Sequence, residues 1–428
     1  MTQESAAPTW REYWPRRFTL VGLCFAGTFV CYIDRVNISV AIIPMASEFG
    51  WDRTLQGVIL SSFFYGYLAT QIAGGWLADR YGGKRVLGAG VLLWSLFTVL
   101  TPPAATAGFA VLFLARVAMG MGEGVTFPSV YSLFARWVPQ QEVTRAIGLN
   151  SSGIPLGTVT ALLVTPVIVV SLGWPMAFYL FGVAGVVWYV FWHFLATSTP
   201  EQHASIRPSE LAHIRAGTPP PTEIPKLPWR QLLSRAPVWA IIVCHFCNNW
   251  GGYVFLSWLP TYVNQALGVD MSDVGLYTMI PFVVSFLALN VAGWVSDSLI
   301  RRGIDVTTVR KLMQTVGFAG PALFLILIGG VTSATTAILY MSCATALGAF
   351  AMGGFGVNHL DIAPRYAGLL MGISNTAGTI PGIVGVTVSG LILDLTGSWA
   401  LVFGVAAGVY LVGLVVWLLF ATGERIFD

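Results

Sequence analysis

Four charged residues fall deep inside apolar stretches of this chain: Asp34 and Arg35, within Tyr32-Ile33-Asp34-Arg35-Val36-Asn37, and Arg116 and Glu123 further on. A charge at membrane depth costs several kcal/mol unless it is paired or solvated, so residues of this type mark a functional site. At about 100° per residue, Arg116 and Glu123 lie within about 20° on one helix face and about 10.5 Å apart along its axis. Phe127 and Tyr131 continue that stripe in steps of four, as the wall of a cavity would. Two arginines and two carboxylates sum to zero and can survive burial by mutual pairing. Burial favours the neutral acid and a neighbouring guanidinium favours the charged one, which makes both acids candidates for titration. If Asp34 and Glu123 each take a proton, two guanidiniums lose their partners and an incoming anion replaces them. On this reading Glu123 is the coupling acid, Asp34 a second protonatable group, and Arg35 or Arg116 the clamp for the anion. The bland alternative is that the four charges merely pin two helices together. Asp34 and Arg35, adjacent on one helix, cannot both point straight at one cavity.

The elements that must position these groups are membrane helices. Of 428 residues 56% are hydrophobic and only 10% charged, with a mean hydropathy of +0.74, whereas a soluble domain is roughly a quarter charged. Twelve apolar stretches of spanning length are predicted, near 18–46, 54–78, 86–102, 107–135, 145–169, 174–197, 237–265, 274–296, 312–330, 333–357, 366–393 and 399–421. With the amino terminus inside, every loop Lys or Arg except Arg53 falls on the cytoplasmic side, so both termini are expected there. No basic run is dense enough for nucleic acid. The first apolar stretch is too long for a cleaved signal peptide and is expected to stay as span one.

A proline-bearing polar stretch, 198–235, divides the chain into an N-terminal bundle over 1–197 and a C-terminal bundle over 236–428, each of six helices. The halves echo one another. Gly75-Trp76-Leu77-Ala78-Asp79-Arg80 closes span two, and Gly293-Trp294-Val295-Ser296-Asp297 closes span eight; Gly153-Ile154-Pro155 in span five matches Thr379-Ile380-Pro381 in span eleven. Parallel repeats with a site between them describe a rocking transporter. Asp79, Arg80 and Asp297 are read as gating residues, with Asp79 and Arg80 latching helices together; plain topology signalling is the alternative.

The second half offers neutral polar groups for the opposite wall: Asn248, Asn249 and Tyr253 in span seven, and Ser374, Asn375, Thr376 and Thr379 in span eleven. Positive charge on one wall and neutral hydrogen-bonding groups on the other suit a hydroxylated monoanion. Tyr32 and Tyr67 complete the expected set. For any one of these residues, helix packing is an equal alternative. His359 is expected to be structural, beside Asp361 and Arg365, and His245 to be a packing residue rather than a proton relay. Cys24, Cys31, Cys244, Cys247 and Cys343 are all placed in spans as reduced packing residues; Cys244-His245-Phe246-Cys247 lacks the second cysteine pair of a zinc site. No cofactor or metal is implied.

The strings YIDRVNISVAI, FFYGYLATQIAGGWLADRYGGKR, RVAMGMGEG and NHLDIAPRYAG resemble the anion:cation symporter family of the major facilitator superfamily, over essentially the whole chain. That family includes galactonate and hexuronate permeases, sialin and the vesicular glutamate transporters. The resemblance implies an all-α membrane protein with the major facilitator fold. It implies that Arg35 and Arg116 serve substrate binding or gating, that Asp34 and Glu123 serve proton coupling, and that Tyr32, Tyr67, Ser374 and Asn375 contact a sugar acid. Asn248 stands where the glutamate transporters carry a basic residue, and Ile154-Pro155 where galactonate permeases carry a polar one. The expectation is therefore a proton-coupled symporter of a small organic monoanion such as a hexonate, hexuronate or sialic acid. It would work as a monomer in the lipid bilayer of a bacterial inner membrane, with a plastid relative as the alternative. The alternatives are an exchanger or facilitator for phosphate or an acidic amino acid, and a solute sensor that moves nothing. An ATP-driven pump is excluded by the lack of a Gly-x-x-x-x-Gly-Lys-Ser/Thr loop, and a retinal protein by lysines placed only in loops, Lys84, Lys226 and Lys311. No nucleophile, base and acid converge as an enzyme would need.

Overall fold

A computed structural model describes residues 14–217 and 229–427, so Pro219, Pro220, Pro221, Pro225, Lys226 and Pro228 of the expected linker lie outside the described residues. Twelve long helical segments run through these residues. The first six are α1 (Arg16–Phe49), α2 (Arg53–Tyr81), α3 (Gly83–Ala107), α4 (Phe109–Trp137), α5 (Gln140–Leu172) and α6 (Trp174–Leu195). The second six are α7 (Ala236–Thr261), α8 (Met271–Arg301), α9 (Val306–Ile328), α10 (Ala334–Ile362), α11 (Ala367–Thr396) and α12 (Trp399–Phe420).

Ten of the twelve are long and apolar enough to cross a membrane. The two that are not, α2 and α7, carry Ser61, Ser62, Tyr67, Thr70 and Gln71, and His245, Asn248 and Asn249. Their neutral polar groups dilute the hydropathy because these helices sit between the halves and face a cavity. Most termini follow from local chemistry. Gly50 ends α1 in the left-handed conformation (φ 67°), and Asp52 caps α2 by accepting from the Leu55 N–H at 2.7 Å.

Two interruptions escaped the sequence reading. α4 breaks at Val125, with one helical stretch ending at Gly124 and the next starting at Thr126, while α10 passes through a 3-10 turn at Ala349–Gly353. α9 also starts earlier than predicted, so Arg310 and Lys311 stand in a helix and not in a loop.

α2 and α4 cross with their backbones touching: a Cβ added at Gly66 or Gly120 would strike the carbonyls of Val117 and Phe63 respectively. Small residues at such a crossing let helices associate where lipid offers no hydrophobic drive. Part of the linker is ordered on the first half. In the helix Pro208–Gly217, Ile214 is buried and Glu210 accepts from the backbone N–H groups of Arg16 and Arg17 at 3.0 and 3.1 Å, capping α1.

Candidate substrate and coupling site

The two halves meet around a central cavity with two lobes that share Tyr32, Ile154 and Tyr253. One lobe, of about 650 Å³, is bordered by Arg35, Tyr67, Gln71, Tyr131 and Asn375. The other, of about 400 Å³, is bordered mainly by the second half, with Asn248, Asn249, Phe282 and Met352 on its wall. Contacts between α2 and α11 close one end of this space. Ser61 accepts from Thr387 at 2.9 Å, Thr54 donates to Asp394 at 3.0 Å, and Gly57 packs against the Val386 carbonyl. At the other end Gly75 of α2 and Gly368 of α11 stand at the cavity edge.

Arg35 is the cation of the cavity wall. Nε and Nη2 of its guanidinium both donate to Oε2 of Glu123, at 3.0 and 2.9 Å, and Nη1 reaches the Tyr32 hydroxyl at 3.4 Å. Three rings surround it, with centroids 4.6 Å (Tyr32), 4.8 Å (Phe63) and 4.8 Å (Tyr67) from its central carbon. Ring faces attract a guanidinium by about 2 kcal/mol when water is excluded, which fixes it without neutralising it. Glu123 is wholly buried; Oε2 also accepts from the Cys31 thiol at 3.2 Å, whereas Oε1 has no protein partner. Cys31 was read only as packing, and nothing in its apolar surroundings signals the acid it meets.

The other three sequence-predicted charges lie differently. Arg116 is buried off the main cavity. It donates to the Met119 sulfur at 2.9 Å, its Nε is unpaired, and it meets Arg35 only around a void of about 10 Å³. The expected continuous stripe from Arg116 through Glu123 to Tyr131 is therefore corrected: after the break at Val125, Phe127 and Tyr131 reach the cavity, while Arg116 and Glu123 stay inside the first half. Asp34 is fully buried, with both carboxylate oxygens unpartnered, in the field of Glu123 and Arg116. It does not line the cavity. Being one residue from Arg35 rotates it toward the bundle interior.

On the second half, Asn375 and Thr376 line the larger lobe, and Asn249 lines the smaller one while donating to the Gly378 carbonyl at 2.9 Å. Thr379 donates to Gln71 across the halves at 3.2 Å. Ser374 is a correction: it points away from the cavity, wholly buried between His245 (3.1 Å) and His359 (2.9 Å). His359 is buried and hydrogen-bonded to Ser374, not to its neighbour Asp361. Asp361 is bonded by Arg310 at 2.7 and 3.1 Å, and the Arg365 side chain lies outside the described residues. Of the gating set, Asp79 accepts from Ser132 at 3.2 Å and Arg80 lies over the rings of Trp76 and Tyr81, so both engage their own half and not each other. Asp297 is exposed at the end of α8.

Two bundles of six helices around a polar cavity match one family model, that of the Major Facilitator Superfamily, over residues 24–386. The chain belongs to the Major Facilitator Superfamily. Within it the chain falls among the anion:cation symporters, as a transporter and not an enzyme. It is 47% identical over 421 residues to a chloroplastic protein of Arabidopsis thaliana named sodium-dependent phosphate transport protein 1, spanning 98% of this chain and 82% of that one. It is 44% identical to a chloroplastic ascorbate transporter of the same plant (99% and 78%) and 36% identical to human sialin (95% and 90%). Among solved structures, it superposes on a bacterial homologue of the lysosomal transporter Spinster, in an inward-facing and occupied conformation, with a TM-score of 0.79 at 16% identity, covering 95% and 97% of the two chains. A D-xylose-proton symporter superposes with a TM-score of 0.75, at 16% identity and 95% and 99% coverage. At such identity these structures speak for the fold alone.

Proposed function

We propose that this chain is a proton-coupled symporter of a small, hydroxylated organic monoanion, a sugar acid by class, working by alternating access. The observation that carries this reading is Arg35: it borders the cavity, yet both nitrogens of one guanidinium edge are held by the buried Glu123. A substrate carboxylate and Glu123 compete for the same fork. A proton on Oε1 of Glu123, the oxygen without a protein partner, neutralises the competitor and frees the fork. An anion then completes the charge balance, and its loss favours deprotonation, so proton and anion move together. Asp34 serves as a second protonatable group that tunes the Arg116 and Glu123 field.

The cargo class follows from the wall. Arg35 is the one cation bordering either lobe among the described residues, so a monoanion is matched and a dianion left short. The joined lobes hold far more than a phosphate, and Asn248, Asn249, Asn375 and Thr376 offer bonds to hydroxyls. The relative named an ascorbate transporter suits the same chemistry, a ring with hydroxyls and one negative charge. The basic-residue bias supports an orientation with both termini, and the cavity edge at Gly75 and Gly368, on the cytoplasmic side of the membrane, taken here as a bacterial inner membrane. The gating roles of Asp79, Arg80 and Asp297 belong to the same proposal.

A thermal-shift screen of sugar acids, phosphate and acidic amino acids on purified protein, followed by counterflow in proteoliposomes, tests this. Sugar acids are expected to stabilise the protein and to exchange. Stabilisation by phosphate alone would overturn the cargo class, and a stabilising ligand without counterflow would make the protein a sensor.

A further inference from the structure

His245 on α7, Ser374 on α11 and His359 on α10 meet directly behind the cavity wall. Ser374 Oγ lies 3.1 Å from Nδ1 of His245, 2.9 Å from Nε2 of His359 and 3.2 Å from the carbonyl of Met371. The three side chains are 7%, 0% and 3% exposed. Met371, Ile373 and Asn375, the neighbours of Ser374 on α11, border the larger lobe.

The hydrogens of this cluster can be counted. A hydroxyl has one proton and two lone pairs, and a neutral imidazole has one N–H and one acceptor nitrogen. We assign the remaining ring N–H of His359 to the Gly356 carbonyl, one turn back on α10. Since Nε2 faces Ser374, that bond belongs to Nδ1–H. Neutral His359 is thereby left with an accepting Nε2, which takes the Ser374 proton. The Ser374 oxygen then accepts Nδ1–H of His245, and the Met371 carbonyl receives nothing from the hydroxyl. If Nε2 of His359 gains a proton it becomes a donor. The hydroxyl turns to Met371 and accepts from both imidazoles at once, which is its full capacity. No hydrogen bond is lost in either state, although a buried bond broken without replacement costs about 1–3 kcal/mol.

We propose that His245, Ser374 and His359 form a second proton-accepting site, in which Nε2 of His359 takes the proton and the Ser374 hydroxyl is a two-position switch. The two imidazoles share one hydroxyl, so the cluster takes one proton and not two. The ionisable groups on the surrounding elements are Cys244 and Cys247 on α7, Arg310 on α9 with its partner Asp361 on α10, and Tyr410 on α12. Among the described residues no carboxylate bonds either imidazole. The added charge therefore stays unneutralised one residue behind Asn375, where it draws an anion to the neutral wall of the cavity. This last consequence rests on the anion-carrying reading of that cavity; the proton site itself does not.

The test is nitrogen NMR of the full chain in lipid nanodiscs, with labelled imidazoles, from about pH 8 down to about pH 4, reaching below the usual histidine range because both imidazoles are buried. The five histidines are assigned by single His→Asn variants. The expected result is the Nδ1–H tautomer for both His245 and His359 at the upper pH, and a second proton on His359 alone at the lower. In Ser374→Ala the His359 change is lost from that window, and Ser374→Thr restores it. An Nε2–H tautomer for His359 at the upper pH would overturn the proposal in the native protein, whether or not the variants fold. So would a His359 change untouched by Ser374→Ala. Glu123→Gln is expected to keep the His359 change, so failure here and failure of the Glu123 coupling register separately.

Discussion

Arg35 and Glu123 face one another across the wall of the central cavity, with the guanidinium at the surface of the space and the carboxylate 2.9 Å behind it, fully buried. In the proposed cycle a substrate carboxylate competes with Glu123 for this one cation. Charge removed from one side has to be supplied from the other.

Glu123→Gln keeps the shape and removes the titration. Proteoliposomes carrying this variant are expected to exchange preloaded sugar acid at rates within a few-fold of the native protein, while accumulation driven by a pH gradient is abolished. Continued concentration of substrate against its gradient would remove Glu123 from the coupling role.

The two arginines should separate. Arg35→Lys loses the planar fork and the three-ring cage, and affinity for the anion is expected to fall at least about tenfold, or about 1.4 kcal/mol. Arg116→Lys acts inside the first half. It is expected to lower the unfolding temperature and leave affinity nearly unchanged. Titration calorimetry beside a melting curve reads both, and a tenfold affinity loss in Arg116→Lys alone would reverse the assignment.

How much of this was open to the sequence depends on what each residue reveals alone. Asp34, Arg35, Arg116 and Glu123 were visible because charge in an apolar run is expensive wherever its partner sits. Which guanidinium meets which carboxylate was not visible, because that depends on the rotation of α1 against α4 and on the break at Val125. Ser374 and Asn375 look equivalent in a string, yet one turn angle puts the first between two histidines and the second on the cavity. Arg310 was hidden by position: it reads as a loop cation of the basic cytoplasmic side, whereas it stands in the first turns of α9 and is buried.

Arg310 holds the second half together by bonding Asp361 at two points and reaching Ser296 and the Gly353 carbonyl at 2.9 and 3.2 Å. Arg310→Ala leaves Asp361 charged and without its partner, at an expected cost of about 3–5 kcal/mol. Arg310→Met with Asp361→Leu should recover most of that loss. Unfolding by denaturant measures both, and an unaltered midpoint in Arg310→Ala would show the network to be idle.

Cysteines placed at Ser61 and Thr387, whose hydroxyls are 2.9 Å apart at the closed end, are expected to cross-link under mild oxidation and to halt transport until reduced. Gel mobility and uptake, followed together, check this. Cross-linked protein that transports at the native rate would mean that α2 and α11 do not part during the cycle.

The thiol of Cys31, 3.2 Å from Oε2 of Glu123, gives this site a native vibrational reporter. The S–H stretch falls in a part of the infrared spectrum that water and backbone leave clear, and it shifts when its acceptor changes from carboxylate to neutral acid. Cys31→Ser identifies its band among those of the other four thiols. The charge of one buried side chain can thus be followed by light absorption during turnover, with no label introduced into the protein.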